Sequence, residues 1–355
     1  MKKKVLHFIH RDKFTAGYIN WMIKSFPNIK HYFVTREDEQ KLDLYEGCEV
    51  YYFKNENDIF KLHNIIDIAK KADTIIISGI FYCPCTEIKF LLNVPKSIKK
   101  KVFLQFWGGD FYSFRNIHSI KGRINKQIRR RTIKSVRAVI MLLEDDYEQI
   151  KNILNVQKEY FVAIMPCNPK DDCKFEYEEK KDDTLRILLG NSATKENQHD
   201  EMFENLSKFK NEKIEIICPL SYGDDKYKDE IIKKGNEIYG KKFKPITEFM
   251  KKQDYINMLS TCDIGIFNNN RQQALGNIDL MFQLGKKVFI RSDVSTWKYY
   301  IRKKFVLYDT TQIKNMTFDE FKEKNERAQL ENKKAIDLLL DDSNTVKNWA
   351  KVFDI

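Results

Sequence analysis

The chain has 355 residues, 42% of them hydrophobic and 13% aromatic, with 63 Lys and Arg against 51 Asp and Glu. That length exceeds one ordinary core and points to two domains, and the apolar content excludes a disordered chain. The net charge of +12 fits a polyanionic partner (nucleic acid, an anionic membrane surface or a phosphorylated substrate) or a plain lysine-rich composition.

The basic start MKKKVLHFIHRDK carries only a short apolar run, so it reads as a first strand rather than a signal peptide. KHYFVT (30–35) and EVYYF (49–53) are further strands, and DIFKLHNIIDIAKKA (58–72) has apolar residues at helical spacing. DTIIISGI (73–80) and KKVFLQFWG (100–108) are strands that end in Gly-containing turns. KGRINKQIRRRTIKSVR (121–137) holds eight Lys or Arg. It reads as a cationic helix whose apolar side is Ile124, Ile128, Ile133 and Val136, either simply solvated or lying on anionic lipid. AVIMLLE (138–144) and YFVAIMP (160–166) are strands, and the aperiodic, charged stretch 167–183 reads as an interdomain linker.

The alternation then restarts. Strands are expected at LRILLGNS, KIEIICPLSYG, KFKPIT, DIGIF, KKVFIRS and KFVLYD (304–309), with helices between them and a charged helical tail from 316 to 355. The fold class is therefore α/β: two Rossmann-like parallel-sheet domains, residues 1–166 and 184–339, facing each other across a cleft. Seven cysteines, at 48, 83, 85, 167, 173, 218 and 262, form no CxxC pair. A reduced cytoplasmic chain without a zinc knuckle is expected. No stretch approaches the roughly 20 apolar residues of a membrane span.

In such sheets ligands sit beyond the carboxyl ends of strands, and those loops are rich in amides, hydroxyls and glycine. GNSATKENQH (190–199) and NNNRQQALGN (268–277) both precede helices. Their N–H groups, with Arg271, Gln272, Gln273, Gly276 and Asn277, suit a diphosphate. There is no GxGxxG and no GxxxxGK[ST], so a standard dinucleotide or ATP site is unsupported. In WGGD (107–110), Asp110 is either a general base or a helix N-cap. His10, at the end of the first strand, is a second base candidate or a structural histidine.

Taken together, WGGDFYSF, ILLGNSATKENQH, CPLSYGDDKYKDEI and DYINMLSTCDIGIFNNNRQQALGNI resemble motifs of a known family. It is the bacterial TDP-Fuc4NAc:lipid II Fuc4NAc transferase family of the 4-alpha-L-fucosyltransferase type. The resemblance implies a metal-independent GT-B glycosyltransferase with no cofactor beyond its nucleotide-sugar substrate. It assigns Asn191, Ser192, Tyr222, Arg271, Gln272, Gln273 and Gly276 to the donor, and Asn197, Glu248, Phe249 and Asn277 are further donor-site candidates. His199 matches the family loop, whereas Gln198 and the ALGN segment depart from it. It also implies a lipid-linked or polysaccharide acceptor, as in enterobacterial common antigen, O-antigen or capsule synthesis. The enzyme would sit on the anionic inner face of the cell membrane, with a final helix, about 340–355, crossing back to the first domain. The rival readings are a nucleotide-sugar epimerase of similar fold and a basic nucleic-acid-binding protein. The latter lacks the aromatic platform that single strands need, so nucleic acid is not the expected partner.

Overall fold

The computed structural model describes residues 2–12, 14–38, 41–54, 63–80, 86–164, 180 and 182–355. Most of the expected linker, together with Cys83, Cys85, Cys167 and Cys173, lies outside the described residues; Cys48, Cys218 and Cys262 are free thiols. The chain divides into two compact units, one of residues 1–172 with 342–355 and the other of residues 173–341.

Unit 1 is built from β1 (Lys3–Phe8), α1 (Thr15–Ser25), β2 (Ile29–Arg36), β3 (Glu49–Phe53), α2 (His63–Lys71), β4 (Thr74–Ser78) and α3 (Thr86–Asn93). Then come α4 (Lys96–Lys99), β5 (Val102–Gln105), α5 (Gly109–Tyr112), α6 (Ile120–Ser135), β6 (Ala138–Met141), α7 (Glu144–Leu154) and β7 (Tyr160–Val162). The strands form one parallel sheet ordered β3-β2-β1-β4-β5-β6-β7. Central strands are mostly apolar and buried because helices cover both faces: every residue of β4, TIIIS, is buried. The basic helix α6 is turned differently from the sequence expectation. Ile133 and Val136 are buried and Ile128 partly so, but Ile124 points outward with 56% of its surface exposed.

Unit 2 runs β8 (Leu185–Leu189), α8 (His199–Ser207), β9 (Ile214–Pro219), α9 (Asp225–Tyr239), β10 (Phe243–Ile246), α10 (Lys252–Ser260), β11 (Ile264–Phe267) and α11 (Leu275–Gln283). It continues through β12 (Lys287–Ile290), α12 (Ser295–Arg302), β13 (Tyr308–Asp309), α13 (Phe318–Lys322) and α14 (Glu326–Leu339). Its parallel sheet is ordered β10-β9-β8-β11-β12-β13. Pro245 is tolerated because β10 is an edge strand, where one missing N–H breaks no inner ladder. Asp224 caps α9, accepting from Tyr227 N at 2.7 Å. The strand expected at 304–309 shrinks to Tyr308–Asp309. Lys304 is left-handed (φ 64°), and the side chain of Asn332 takes both backbone groups of Val306 that a ladder would have used.

The chain ends in α15 (Asp342–Phe353), which belongs to unit 1. Trp349, Val352 and Phe353 enter the core formed with Val5, Tyr18, Met22 and Phe33, and Trp349 Nε1 donates to Ile164 O at 3.0 Å. Trp349→Ala removes the largest fully buried side chain among the described residues. It is expected to destabilise unit 1 by about 3–5 kcal/mol, read as a lower urea midpoint for a unit 1 probe with that of unit 2 unchanged.

Candidate functional site

Rossmann strand order reverses direction between β8 and β11, so their following loops flank one crevice. The chain leaves β8 at Gly190 (φ 70°), where an added Cβ would lie 2.7 Å from Asn197 Oδ1 and 2.8 Å from His199 Nε2. Glycine is required there both by the backbone angle and by the space. Asn197 Oδ1 accepts from Asn191 N at 3.0 Å, while its Nδ2 donates to Thr194 Oγ1 at 2.9 Å and Ser192 Oγ at 3.2 Å. One amide thus folds residues 191–197 into a tight cap.

A 3-10 turn at Lys195–Asn197 and left-handed Gln198 separate GNS from α8, which begins at His199. His199 is wholly buried, its Nδ1 lies 3.1 Å from Tyr227 OH, and burial lowers its pKa to about 4. It is therefore a neutral packing histidine behind the loop. The loop is held to the β9 edge by Ala193, whose N donates to Tyr222 O and whose O accepts from Asp224 N, both at 2.8 Å.

The run NNNRQQALGN closes over this cap. Asn268 anchors it from below, donating to Glu201 Oε2 at 2.9 Å and accepting from Thr310 Oγ1 at 2.6 Å. Asn270 N donates to Glu196 O at 2.9 Å, and Gln273 Nε2 reaches Ser192 Oγ (3.0 Å) and Thr194 Oγ1 (3.1 Å). Asn269 Nδ2 approaches Asn191 Oδ1 at 3.4 Å, and Asn191 Nδ2 donates to Tyr222 OH at 2.9 Å. Left-handed Ala274 (φ 65°) then starts α11, with Gly276 exposed in its first turn and nothing within 4 Å of where its Cβ would be. The first N–H groups of a helix lack partners within it and suit an anion.

Arg271 Nη1 donates to Gln272 O at 2.9 Å, and its Nε faces Glu196 Oε1 at 3.5 Å. Its side chain is 14% exposed. Four polar atoms of this short segment are buried without a hydrogen-bond partner: Asn269 Oδ1, Arg271 Nε, Gln272 Oε1 and Gln273 Oε1. Unpaired buried polar atoms are rare and costly in folded proteins, and these four fall within five residues just before the start of α11. Beside it, Tyr222 (43% exposed) stacks on Phe249 (64% exposed) with ring centroids 6.0 Å apart.

Of the residues expected to bind donor, the structure thus knits together Asn191, Ser192, Asn197, Tyr222 and Gln273, with Arg271 joined through Glu196. Gln272 is buried beside them, and Asn277 turns to Tyr255 OH at 2.9 Å. Glu248 is exposed next to Phe249. Thr194, Glu196, Asn268 and Asn269 were not singled out from sequence; the amide-rich composition of both loops was the available signal.

In unit 1, Asp110 is neither an N-cap nor a solvent-facing base. It is the second residue of α5 and wholly buried. Its Oδ1 accepts from Trp107 N and Gly108 N, both at 3.1 Å, and its Oδ2 lies 3.4 Å from Ile80 N. Burial pushes its pKa up to about 6, while the Arg129 charge and the N–H groups of Trp107 and Ile80 oppose that rise. The enclosed carboxylate ties the ends of β4 and β5 together. His10, by contrast, has an exposed side chain just beyond β1, and its carbonyl accepts from Thr15 Oγ1 at 2.9 Å. Among the described residues no group of three or more His, Cys, Asp or Glu is gathered for a metal.

Two parallel sheets of this order, each followed by polar loops, define the GT-B fold. The same architecture is shared with a glycosyltransferase from Rickettsia africae ESF-5 (12% identity, 99% of this chain and 98% of that one, TM-score 0.67). It is also shared with an E. coli trehalose-6-phosphate structure bound with UDP-2-fluoro glucose (9% identity, 99% of each chain, TM-score 0.68). A Listeria monocytogenes protein described as a UDP-N-acetylglucosamine 2-epimerase matches as well (13% identity, 96% and 95%, TM-score 0.58), so fold alone does not separate transfer from epimerisation. Sequence does: residues 9–354 match the 4-alpha-L-fucosyltransferase family, glycosyl transferase group 56, and the chain belongs to that family.

Glu196 places its carboxylate 3.5 Å from Arg271 Nε, so a phosphate held by Arg271 would compete with it. Glu196→Gln is expected to tighten nucleoside diphosphate binding about two- to tenfold, in line with an ion pair of about 0.5–1.4 kcal/mol, measured by calorimetric titration at fixed ionic strength.

Proposed function

We propose that the enzyme moves a deoxyamino sugar such as Fuc4NAc from a TDP-, UDP- or GDP-linked donor to a lipid-linked saccharide at an anionic membrane surface. The observation that supports this most is the cluster of unpaired buried polar atoms at Asn269–Gln273 beside Arg271. A diphosphate would bring the guanidinium a bidentate partner and would accept from the first N–H groups of α11. The stacked Tyr222–Phe249 pair offers an aromatic surface to the base.

In the reaction, an acceptor hydroxyl oxygen bonds to the anomeric carbon while the bond from that carbon to the diphosphate oxygen breaks. The leaving diphosphate gains negative charge, which Arg271 and the start of α11 stabilise. The hydroxyl proton passes to a base, for which exposed His10 is our candidate in place of buried Asp110. The expected signature is that His10→Ala lowers kcat with the donor KM unchanged. Asp110→Asn instead lowers the unfolding midpoint of unit 1.

The direct test is a thermal shift in TDP, UDP and GDP, with RNA oligomers alongside. A ligand at 100 times its Kd adds about 2.7 kcal/mol, a shift of several degrees. Stabilisation by a nucleoside diphosphate, with sugar released only when a saccharide acceptor is present, supports the reading. Stabilisation by RNA alone, or donor turnover without acceptor, overturns it.

A further inference from the structure

Helix α6 carries a surface that no step of sugar transfer uses. It is 16 residues long, IKGRINKQIRRRTIKS, with seven Lys or Arg and no Asp or Glu. Arg129, Thr132 and Ile133 are buried and fix one side of the helix. Arg129 sits over the Phe114 ring at 5.4 Å, and Ser119 Oγ caps the start by accepting from Gly122 N at 3.1 Å. The opposite side is a single stripe at helical spacing: Ile120, Ile124, Gln127, Arg131 and Lys134, all exposed. Ile120 is 78% and Ile124 56% exposed, and exposed Lys121 and Arg123 flank them.

We infer that this stripe is the docking surface for an anionic lipid bilayer, with Ile120 and Ile124 entering the headgroup boundary and Lys121, Arg123, Arg131 and Lys134 contacting lipid phosphates. The pattern selects this occupant. Two outward isoleucines ringed by cations match the interface of a charged bilayer. Single-stranded nucleic acid needs aromatic stacking surfaces, and the stripe has none. A second copy of the chain would bring the same cations face to face. The helix is anchored by buried Arg129, Thr132 and Ile133, so the stripe is present before any contact.

The inference adds the membrane-facing element to the proposed transfer at a lipid-linked acceptor, but it is tested without any transfer. The full chain is co-sedimented with phosphatidylcholine vesicles containing 0 or about 30% phosphatidylglycerol, the anionic fraction chosen to give a strong surface potential. Binding is expected only to the anionic vesicles and falling with salt. Ile120→Ser with Ile124→Ser should weaken it at least tenfold, as should Arg123→Glu with Arg131→Glu. Both variants should keep the wild-type melting temperature and nucleotide-induced shift, since the replaced side chains are exposed and lie in the other unit from Arg271. Equal vesicle binding by the variants, a dimer that the isoleucine substitutions dissociate, or RNA binding that they leave intact while vesicles are ignored would each overturn the assignment. Loss of vesicle binding with an intact nucleotide shift separates this surface from the donor site, whose failure would appear in the nucleotide shift alone.

Discussion

Arg271→Ala is expected to lower kcat/KM by about 10²–10³, the loss of roughly 2.7–4 kcal/mol of charge stabilisation. The guanidinium is mostly buried, its nearest carboxylate is Glu196 at 3.5 Å, and its Nε makes no hydrogen bond. Its polar partners are Glu196 and the neighbouring Gln272 carbonyl. Its removal should leave the unfolding midpoint nearly unchanged, because its hydrogen bond to Gln272 O is local in sequence. Arg271→Lys keeps the charge without the planar fork and should recover only part of the activity. A second measurement isolates the cause. Wild type should bind a nucleoside diphosphate more tightly than the monophosphate, and Arg271→Ala should shrink that preference. Unchanged kcat/KM and unchanged preference would remove Arg271 from the donor site.

Gly223→Ala is expected to be the most damaging small substitution near the site. Gly223 has φ 128°, and an added Cβ would lie 2.3 Å from Ala193 O and 2.6 Å from Ala193 C. Those atoms are backbone and cannot rotate aside. Either the isolated bridge between Ala193 and Gly223 opens or the strained angle is kept. A strained angle alone costs about 1–3 kcal/mol, and the clash adds to it. Opening the bridge frees the 191–197 cap from the β9 edge, so nucleotide binding should fall with stability. Gly240→Ala is the control: φ is 55°, but nothing lies within 4 Å. It should show the angular cost without the loss of nucleotide binding. If both variants behave alike, the bridge does not support the site.

Much of the fold is readable in the chain because its central strands are mostly apolar. TIIIS and IGIF are buried on every residue, and parallel strands covered on both faces leave no other pattern. The polar loops after β8 and β11 stood out for the opposite reason, since amides have no place in a dry core. What escaped reading depends on direction rather than composition. Ile124 and Ile133 look alike in sequence, yet one faces out and the other in. Lys287 reads as a surface cation, but it is buried, donating to the carbonyls of Glu320, Phe321 and Glu323 at 2.9–3.0 Å and closing the end of α13. Asp110 has the residue type of a base, and only its three N–H donors reveal a clamp. The roles of Gly190 and Gly223 rest on backbone angles that a one-letter glycine does not disclose.

The contribution of α15 bears on how the polypeptide matures. Its Trp349 and Phe353 seal a core whose other members come from residues 5–163, while every residue of unit 2 is translated in between. During synthesis the earlier sheet must therefore wait with an open apolar flank until the last helix leaves the ribosome, whereas the later sheet can finish first. A chaperone-accessible nascent intermediate, with its amino-terminal half incomplete, follows from that order of assembly.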